Sequence, residues 1–483
     1  MKRQHTFLPI VAIASSLTLS ACGGGGGGGG GNAPEPSAEL IYLANSSAAS
    51  NPVEAYAASA DNAFHQNLTS GSFGNGVRKM AVSPDGSRVA LLGELAMPGS
   101  IELFVDDLLD DLPPYLVAGN IVPSDFFVGV DFAWSADGSR IAYMGDLDVE
   151  GVRELYTVNA DGSNTLKLSG NLVAGGDVRE FKWSPDGSRL AYRADQDTNG
   201  VQELYVVDAN GGNNIRLNGD LVAGGDVSSL AWSPNNDRLV YQASQDSSAT
   251  IELYAVDLDG NNNVRLNGDL VVDGDIVSYQ WSTDGSQVAY MADQDVNNNR
   301  ELYVVDADGG NNIRLNSDLV AGGDVFSFAW SPSGNRLAYR ADQDINGVQE
   351  LYSVDADGSD NRKISRAPPA LIVSWNVRSF TWSPNGSRVA YLADHSTAGV
   401  DELFIASDCN GCKILKLNDS LEINSTILDF AWSPDGSGLA YRVDQTADST
   451  IELYSVDING TINYKVNNPL PANGEVTAYV WLP

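Results

Sequence analysis

Positive charge is scarce in this chain. Its 483 residues include 28 Lys and Arg against 63 Asp and Glu, which gives a formal net charge of −35. A surface this acidic repels nucleic acids and anionic lipid headgroups, and it attracts cations and basic partners. We therefore expect no nucleic acid among the partners of this protein.

Histidine and cysteine are also rare, with three residues of each type. His65 and His395 lie in poorly patterned stretches, where we expect solvated loop residues rather than catalytic bases. The sequence has no G-x-S-x-G motif and no His-rich metal pattern. These features favour a non-catalytic protein, and they leave carboxylate catalysis open.

The apolar stretch at the N-terminus, residues 7–19, is shorter than the roughly 20 residues that a membrane helix needs. It follows Lys2 and Arg3 and runs into "LSAC" at 19–22 and the glycines Gly23 to Gly31. A basic head before a short apolar stretch is typical of a secretory signal. An ordinary cleaved signal with an incidental cysteine nearby is the alternative interpretation.

The segment "LSAC" resembles the lipobox of bacterial lipoproteins. This resemblance implies cleavage before Cys22 and lipidation of its thiol, and Gly23 at the next position resembles the outer-membrane sorting pattern. We then expect a lipoprotein signal peptide at 1–21, a lipidated cysteine with a glycine-rich tether at 22–37, and a folded domain at 38–483. The lipid bilayer would hold the protein at the bacterial cell envelope.

A tryptophan recurs with a period near 50 residues and opens copies of "WSPDGSRLAY" (183–192). It occupies Trp134, Trp183, Trp232, Trp281, Trp330, Trp382, Trp432 and Trp481, and a degenerate copy at 81–93 carries Val82 in its place. A period of this length that contains several short strands predicts a propeller-type array. We expect the indoles to pack between blades and to serve the architecture rather than a ligand.

Four short strands alternate with turn signals inside one repeat, 178–226. They are strand a "VREFKWS", strand b "RLAYRAD", strand c "ELYVVDA" and strand d "IRLN". Asp-Gly and Asn-Gly supply the positive φ that tight turns need. Helical periodicity is absent beyond the signal peptide, so the sequence predicts an all-β fold.

The two ends of the array are complementary. The first repeat begins at a strand b, "LIYLA" (40–44), and the last repeat ends on an extra strand a, "VTAYVW" (476–481). A ring closed by the C-terminal strand would leave no open sheet edge. We therefore expect a closed β-propeller of nine four-stranded antiparallel blades. The alternatives are eight blades with an irregular N-terminal segment, or an open solenoid.

The units "WSPDGSRLAY" and "ELYVVDADG" (301–309) resemble the propeller repeats of the TolB family and the propellers of prolyl-oligopeptidase-type peptidases. The likeness covers about 40–483. The chain lacks the additional α/β domain of TolB and the hydrolase domain of the peptidases. The resemblance therefore implies a propeller and leaves the activity open, because unrelated functions share this fold.

The loops between strands b and c place oxygen-bearing side chains at positions 1, 3, 5 and 9. Such spacing around a turn resembles the nine-residue calcium loops of integrin α propellers, because calcium takes 6–8 oxygen ligands. The departures are Glu at position 9 and Asn298 where glycine is expected. Four loops share the spacing: Asp146, Asp148, Glu150 and Glu154; Asp195, Asp197, Asn199 and Glu203; Asp293, Asp295, Asn297 and Glu301; Asp342, Asp344, Asn346 and Glu350.

Ordinary turns are the alternative interpretation of these loops, because Asp, Asn and Gly are common turn residues. Glutamate persists at position 9 in repeats that lack the Asp series, namely at Glu102, Glu252, Glu402 and Glu452. This persistence indicates a structural task for the glutamate.

Cys409 and Cys412 form "CNGC" at a turn between strands c and d. Without further Cys or His ligands we expect them to form a disulfide.

The b–c loops and the d–a loops should share one face of the ring, where Asp177, Asp226, Asp275 and Asp324 add further carboxylates. Such a face suits calcium or a cationic partner, although it could equally be a solvated surface. We expect a membrane-anchored, non-catalytic scaffold that binds an envelope or extracellular protein, with calcium as its one possible cofactor. The alternative is a propeller enzyme, a lyase or hydrolase acting on an envelope or extracellular glycan or peptide.

Overall fold

The computed structural model describes residues 39–45, 53–69, 76–94, 96, 99–108, 112–123, 131–366, 375–397, 399–408, 413–422, 425–445 and 449–483. Residues 36–483 form one compact unit. The expected signal peptide, Cys22 and the tether lie outside the described residues, as do Cys409 and Cys412. Among those residues there is no helix that is long enough and apolar enough to span a bilayer.

The fold is all-β, as expected, with nine four-stranded antiparallel sheets. Blade 1 contains β1 (Leu40–Asn45), β2 (Val53–Ala58), β3 (His65–Asn67) and the last strand, β36 (Glu475–Trp481). Blade 2 contains β4 (Val77–Val82), β5 (Arg88–Gly93), β6 (Ser100–Asp107) and β7 (Tyr115–Pro123). Blade 3 contains β8 (Phe132–Trp134), β9 (Arg140–Gly145), β10 (Glu154–Asn159) and β11 (Leu166–Lys167).

The next three blades follow the same order of strands a, b, c and d. Blade 4 contains β12 (Val178–Trp183), β13 (Arg189–Ala194), β14 (Glu203–Asp208) and β15 (Ile215–Arg216). Blade 5 contains β16 (Val227–Trp232), β17 (Arg238–Ala243), β18 (Glu252–Asp257) and β19 (Val264–Arg265). Blade 6 contains β20 (Ile276–Trp281), β21 (Gln287–Ala292), β22 (Glu301–Asp306) and β23 (Ile313–Arg314).

The last three blades complete the array before β36. Blade 7 contains β24 (Val325–Trp330), β25 (Arg336–Ala341), β26 (Glu350–Asp355) and β27 (Arg362–Lys363). Blade 8 contains β28 (Val377–Trp382), β29 (Arg388–Thr397), β30 (Val400–Ser407) and β31 (Ile414–Lys416). Blade 9 contains β32 (Thr426–Trp432), β33 (Gly438–Asp444), β34 (Glu452–Asp457) and β35 (Asn463–Lys465).

The hydrophobic core is divided among the spaces between neighbouring blades. In one such cluster Leu204 and Val206 of blade 4 pack with Trp232 and Leu239 of blade 5. Strands b and c are buried along nearly their whole length because each sheet has a neighbour on both faces. A single blade therefore has no core of its own.

Each tryptophan of the repeat links its blade to the preceding one. The indole Nε1–H donates to the backbone carbonyl that precedes the corresponding residue in strand a of that blade. Trp183 reaches the carbonyl of Ala133 at 3.1 Å and Trp232 reaches that of Lys182 at 3.0 Å. The same bond recurs from Trp134, Trp281, Trp330, Trp382, Trp432 and Trp481. The expected architectural role of the tryptophans is confirmed.

The C-terminal strand closes the ring. Strand β36 pairs with β1 in antiparallel register, with Tyr479 opposite Tyr42 and Trp481 opposite Leu40. Strands β4 to β7 form a complete second blade, so the structure has nine blades and the eight-bladed alternative is wrong. At the junction of blades 1 and 2, Val82 replaces the tryptophan, and this junction has no indole to donate.

Deleting 475–483 should expose the edge of β1 and remove half of the hydrogen bonds that hold it in blade 1. We expect a large fall in melting temperature or aggregation, because both β1 and the core between blades 9 and 1 become exposed. Trp481→Phe is the matched control. It keeps the strand and most of the apolar area, and it should cost only about 1 kcal/mol for the lost hydrogen bond. Equal melting curves for the deletion and the full chain would argue for an open array.

Candidate functional site

The b–c loops and the d–a loops lie together on one face of the ring, as expected. The amide of Asp177, in a d–a loop, donates to a carboxylate oxygen of Asp195 in the next b–c loop. The side-chain amide of Asn297 donates to the carbonyl of Val272 at 3.1 Å in the same way. We call this surface the loop face.

The aspartate at position 1 of each b–c loop accepts hydrogen bonds from the backbone. Asp195 accepts from the amide of Asp177 at 2.5 Å and from the amide of Gly200 at 3.0 Å. Asp293 and Asp342 have corresponding partners in their own repeats. Asp146 accepts from the amide of Gly151 at 3.0 Å. These carboxylates hold the turn in place.

A second set of aspartates connects neighbouring blades. Asp324, at the end of a d–a loop, donates its amide to Asp342 of blade 7 at 2.5 Å. Its carboxylate accepts from the amide of Arg300 in blade 6 at 2.8 Å. We call this pair of hydrogen bonds, one from the backbone amide and one to the side chain of the same residue, the interblade clasp. The same clasp recurs at Asp177, Asp275 and Asn376.

The side chains at positions 3 and 5 also contact the protein. Asp344 pairs with Lys363 at 2.7 Å, and Asp148 pairs with Lys167 at 3.2 Å. Asn346 donates to the carbonyl of Ala321 at 3.2 Å, as Asn297 does to Val272. Burial and the neighbouring carboxylates of Glu203 and Asp197 raise the pKa of Tyr205. Asp295 is one of the groups that raise the pKa of Tyr303. Asn199 lies against Gly175, and Glu150 is exposed.

The glutamate at position 9 is buried and has two partners on its own blade. One oxygen of Glu203 accepts from the Tyr205 hydroxyl at 2.7 Å, and the other accepts from Arg216 of strand d at 2.7 Å. Glu301 has Tyr303 and Arg314, and Glu350 has Tyr352 and Lys363. Glu154 has Tyr156 and Lys167. The predicted structural task of this glutamate is confirmed.

This geometry does not support the calcium expectation. The oxygens at positions 1 and 9 already accept backbone amides, hydroxyls or basic groups, and position 5 turns its amide nitrogen towards a carbonyl in two of the loops. Among the described residues no group of three or more His, Cys, Asp and Glu side chains is arranged to hold a metal ion. The spacing that resembles a calcium loop accompanies a hydrogen-bonded turn in these loops, and calcium binding stays a prediction.

The loop face still presents exposed aliphatic side chains next to carboxylates. Val272, Val296 and Ile345 have exposed fractions of 83%, 55% and 47%. The side chains of Asp269 and Asp318 in the neighbouring d–a loops are each 94% exposed, and each carboxylate pairs at 2.6 Å with an arginine of strand d, Arg265 or Arg314. We call the three aliphatic residues and the two aspartates the aliphatic–acidic patch. It spans the loops of blades 6 and 7, which interblade clasps hold together.

Blade 8 departs from the repeat at His395. The expectation of a solvated histidine is wrong, because His395 is 3% exposed and stacks on Trp375 with ring centroids 4.7 Å apart. Blades 4, 5, 6, 7 and 9 carry glutamine here, and Gln196 accepts from the Tyr192 hydroxyl at 2.8 Å. In blade 8 the Tyr391 hydroxyl and both His395 nitrogens are buried without a hydrogen-bond partner in the described structure. Burial lowers the pKa of His395 to about 4.

The expectation for His65 also needs correction. This residue lies in strand β3 and is half-buried, and its ring packs against Tyr42 and Tyr56. One ring nitrogen bonds to the Tyr42 hydroxyl, and the other bonds to the side-chain amide of Asn468 at 2.9 Å. The bond to Tyr42 lies within blade 1, and the bond to Asn468 links blade 1 to blade 9.

Two features of the sequence distinguish blade 8 from the other repeats. The spacing from Trp330 to Trp382 is 52 residues where most repeats have 49, and the extra residues fall in the d–a loop that ends with Trp375. The substitution of histidine for the repeated glutamine at 395 lies opposite that loop. An alignment of the repeats against each other shows both changes, whereas the histidine taken alone does not.

No family model matches this chain, and neither does any curated protein. Solved structures do share its fold. A eukaryotic initiation factor has a TM-score of 0.62 at 14% identity, over 92% of this chain and 99% of that one. Dipeptidyl peptidase 4 from Porphyromonas gingivalis has a TM-score of 0.58 at 14% identity, over 81% of this chain and 59% of its own.

A putative TolB from Agrobacterium tumefaciens is also similar, with a TM-score of 0.33 and 18% identity over 66% of this chain and 99% of that one. A similarity at this level supports no argument about family. The propeller that the TolB resemblance implied is confirmed by the structure itself. Membership of the TolB family stays a prediction.

Asp324→Ala should weaken the contact between blades 6 and 7, because the amide of Arg300 loses its acceptor. We expect a loss of about 1–3 kcal/mol in the free energy of unfolding, the range for a hydrogen-bonding group left without its partner. Asp324→Asn is the control, since Asn376 performs this function in the clasp between blades 7 and 8. In denaturant unfolding, the free energy of unfolding of Asp324→Asn should be close to that of the wild type. Equal losses for both variants would show that charge, and not the clasp, matters.

His395 should make the protein sensitive to mild acid. The native state keeps the ring neutral down to a pKa of about 4, whereas the unfolded chain takes up a proton near pH 6.5. Stability is therefore lost as the pH falls between these values, by about 3 kcal/mol. The charged neighbours are Asp394, which favours protonation, and Arg366, which opposes it.

His395→Gln restores the residue of the other blades and should remove this part of the pH dependence. The measurement is the free energy of unfolding of both proteins at pH 7.5 and pH 4.5. We expect the advantage of the glutamine variant to grow as the pH falls, because His395 alone distinguishes the two chains. Parallel pH profiles would contradict the assignment.

Proposed function

We propose that this chain is a membrane-anchored, non-catalytic scaffold whose loop face binds a basic protein of the bacterial envelope or the extracellular space. The observation that carries the proposal is the aliphatic–acidic patch. Val272, Val296 and Ile345 are exposed on the loop face, which they share with the highly exposed, arginine-paired carboxylates of Asp269 and Asp318. Exposed apolar side chains with a polar rim are typical of protein interfaces.

Charge and rigidity support the same proposal. The chain carries a net charge of −35, so its field favours the approach of a cationic protein and raises the association rate. The interblade clasps and the bonds from Asn297 and Asn346 fix the loops before any partner arrives. A fixed surface loses less conformational entropy on binding than a mobile one.

The described histidines do not favour the enzymatic alternative, a lyase or hydrolase. His65 is bonded through both nitrogens, and His395 is buried between aromatic rings. A general base must reach the proton that it removes. Neither histidine is available for that role in this arrangement.

The test uses the full chain carrying Cys22→Ser as the soluble bait, with chemical cross-linking of envelope extracts. The wild type should partition with membranes and the variant should be soluble, because Cys22 would carry the lipid anchor. A basic protein should be captured by the bait, and its retention should fall steeply between about 50 and 500 mM salt because the attraction is screened. Unchanged partition of Cys22→Ser would remove the anchor from the proposal.

The patch itself is tested with the triple change Val272→Ser, Val296→Ser and Ile345→Ser. This variant should lose capture. The matched control changes Ile215, Ile313 and Ile462 to Ser, three exposed aliphatic residues near or on the outer strands. Equal capture by the two triple variants would overturn the proposed surface.

Calcium and sodium should give equal capture at matched ionic strength, and a gain specific to calcium would restore the calcium-loop hypothesis.

A further inference from the structure

One cross-strand position between strands a and b carries opposite charges in two blades. In blade 4, Glu180 of strand a lies directly opposite Arg193 of strand b, with oxygen and nitrogen 3.5 Å apart. In blade 9, Asp429 lies opposite Arg442, and both carboxylate oxygens lie 3.1 Å from its Nε. Each arginine also donates to a carbonyl in strand a of the next blade.

Blade 7 keeps the arginine and lacks its carboxylate. Ser327 is the residue opposite Arg340, and no ion pair to Arg340 exists among the described residues. The guanidinium lies over the ring of Phe326 at 5.6 Å and donates through one nitrogen to the carbonyls of Val377 and Arg378. Its Nε is buried and has no hydrogen-bond partner in the described structure.

A second arginine adds to this positive charge. Arg378 belongs to strand a of blade 8, and its side chain is 47% exposed. Among the described residues its carboxylate partner is Asp401, at 3.4 Å from Nε. Burial, and to a lesser degree the positive charge of Arg378, lowers the pKa of Arg340 to about 10. Asp401 thus pairs with Arg378 alone, and Arg340 has no carboxylate partner among the described residues of a chain of net charge −35.

From this geometry we infer an anion site between blades 7 and 8, in which Arg340 and Arg378 bind the carboxylate of a small molecule. The ligand's carboxylate takes the place that Glu180 and Asp429 occupy in blades 4 and 9. Guanidinium groups bind planar carboxylates through paired, charge-assisted hydrogen bonds. The site offers two positive charges against one negative, so it matches a monoanion better than a phosphate dianion. This inference stands apart from the loop-face partner.

The test uses the full chain carrying Cys22→Ser. It compares sodium acetate, sodium chloride, and acetamide with added sodium chloride, all three at the same ionic strength. Acetate should raise the melting temperature more than chloride does, and the neutral isostere acetamide should have no such effect. Arg340→Met should bind acetate about tenfold more weakly by calorimetry, which corresponds to about 1.4 kcal/mol. Arg193→Met is the matched control and should respond to acetate as the wild type does, because Glu180 already neutralises that position.

Ser327→Glu supplies the missing carboxylate from within the chain. This variant should melt higher than the wild type and should no longer respond to acetate, since its own side chain occupies the site. Equal responses to acetate in the wild type, Arg340→Met and Ser327→Glu would overturn the proposal. So would an acetate effect no larger than that of chloride. Loss of capture by the loop face would leave this result unchanged, so the two proposals fail separately.

Discussion

Every blade of this propeller depends on its neighbours, because a four-stranded sheet with two apolar faces cannot bury either face alone. The indole of one blade and the backbone carbonyl of the preceding one form the bond that repeats this dependence around the ring. The apolar area between blades contributes most of the stabilisation, and the indole bond fixes how far one sheet can slide over the next. The loops can hold defined positions on the loop face only because the sheets below them are locked in this way.

Acidic residues serve two different purposes in the structure. Those at positions 1 and 9 of the b–c loops are turned inwards, where backbone amides, hydroxyls and basic groups satisfy them. Those in the d–a loops, such as Asp269 and Asp318, are highly exposed, and these two pair with the arginines of strand d. The net charge therefore overstates the field available to a partner, and the arrangement of the outer carboxylates matters more than their number.

The repeat made the architecture predictable, and local chemistry limited what could be said of the site. The recurrence of tryptophan near every 50 residues and the missing strand a before Leu40 predicted a closed ring of nine blades, with eight blades or an open array as alternatives. Asp195 and Glu203 were harder, because the same spacing suits a calcium loop and a hydrogen-bonded turn. The difference depends on Arg216, which the register of strand d brings next to Glu203. Arg340 was invisible at the sequence level for a similar reason, since only strand pairing shows that Ser327 lies opposite it.

The position of β1 determines how the ring would bear a mechanical load. The chain enters the propeller at Leu40, and β1 has β2 on one side and the C-terminal strand β36 on the other. A pull from the N-terminal side therefore acts along two antiparallel ladders in shear, and their hydrogen bonds must break together. Had β1 been an edge strand, the same pull could have opened its hydrogen bonds one at a time. If the proposed N-terminal anchor holds the protein, the strand that closes the ring would also distribute force from that side over the first blade.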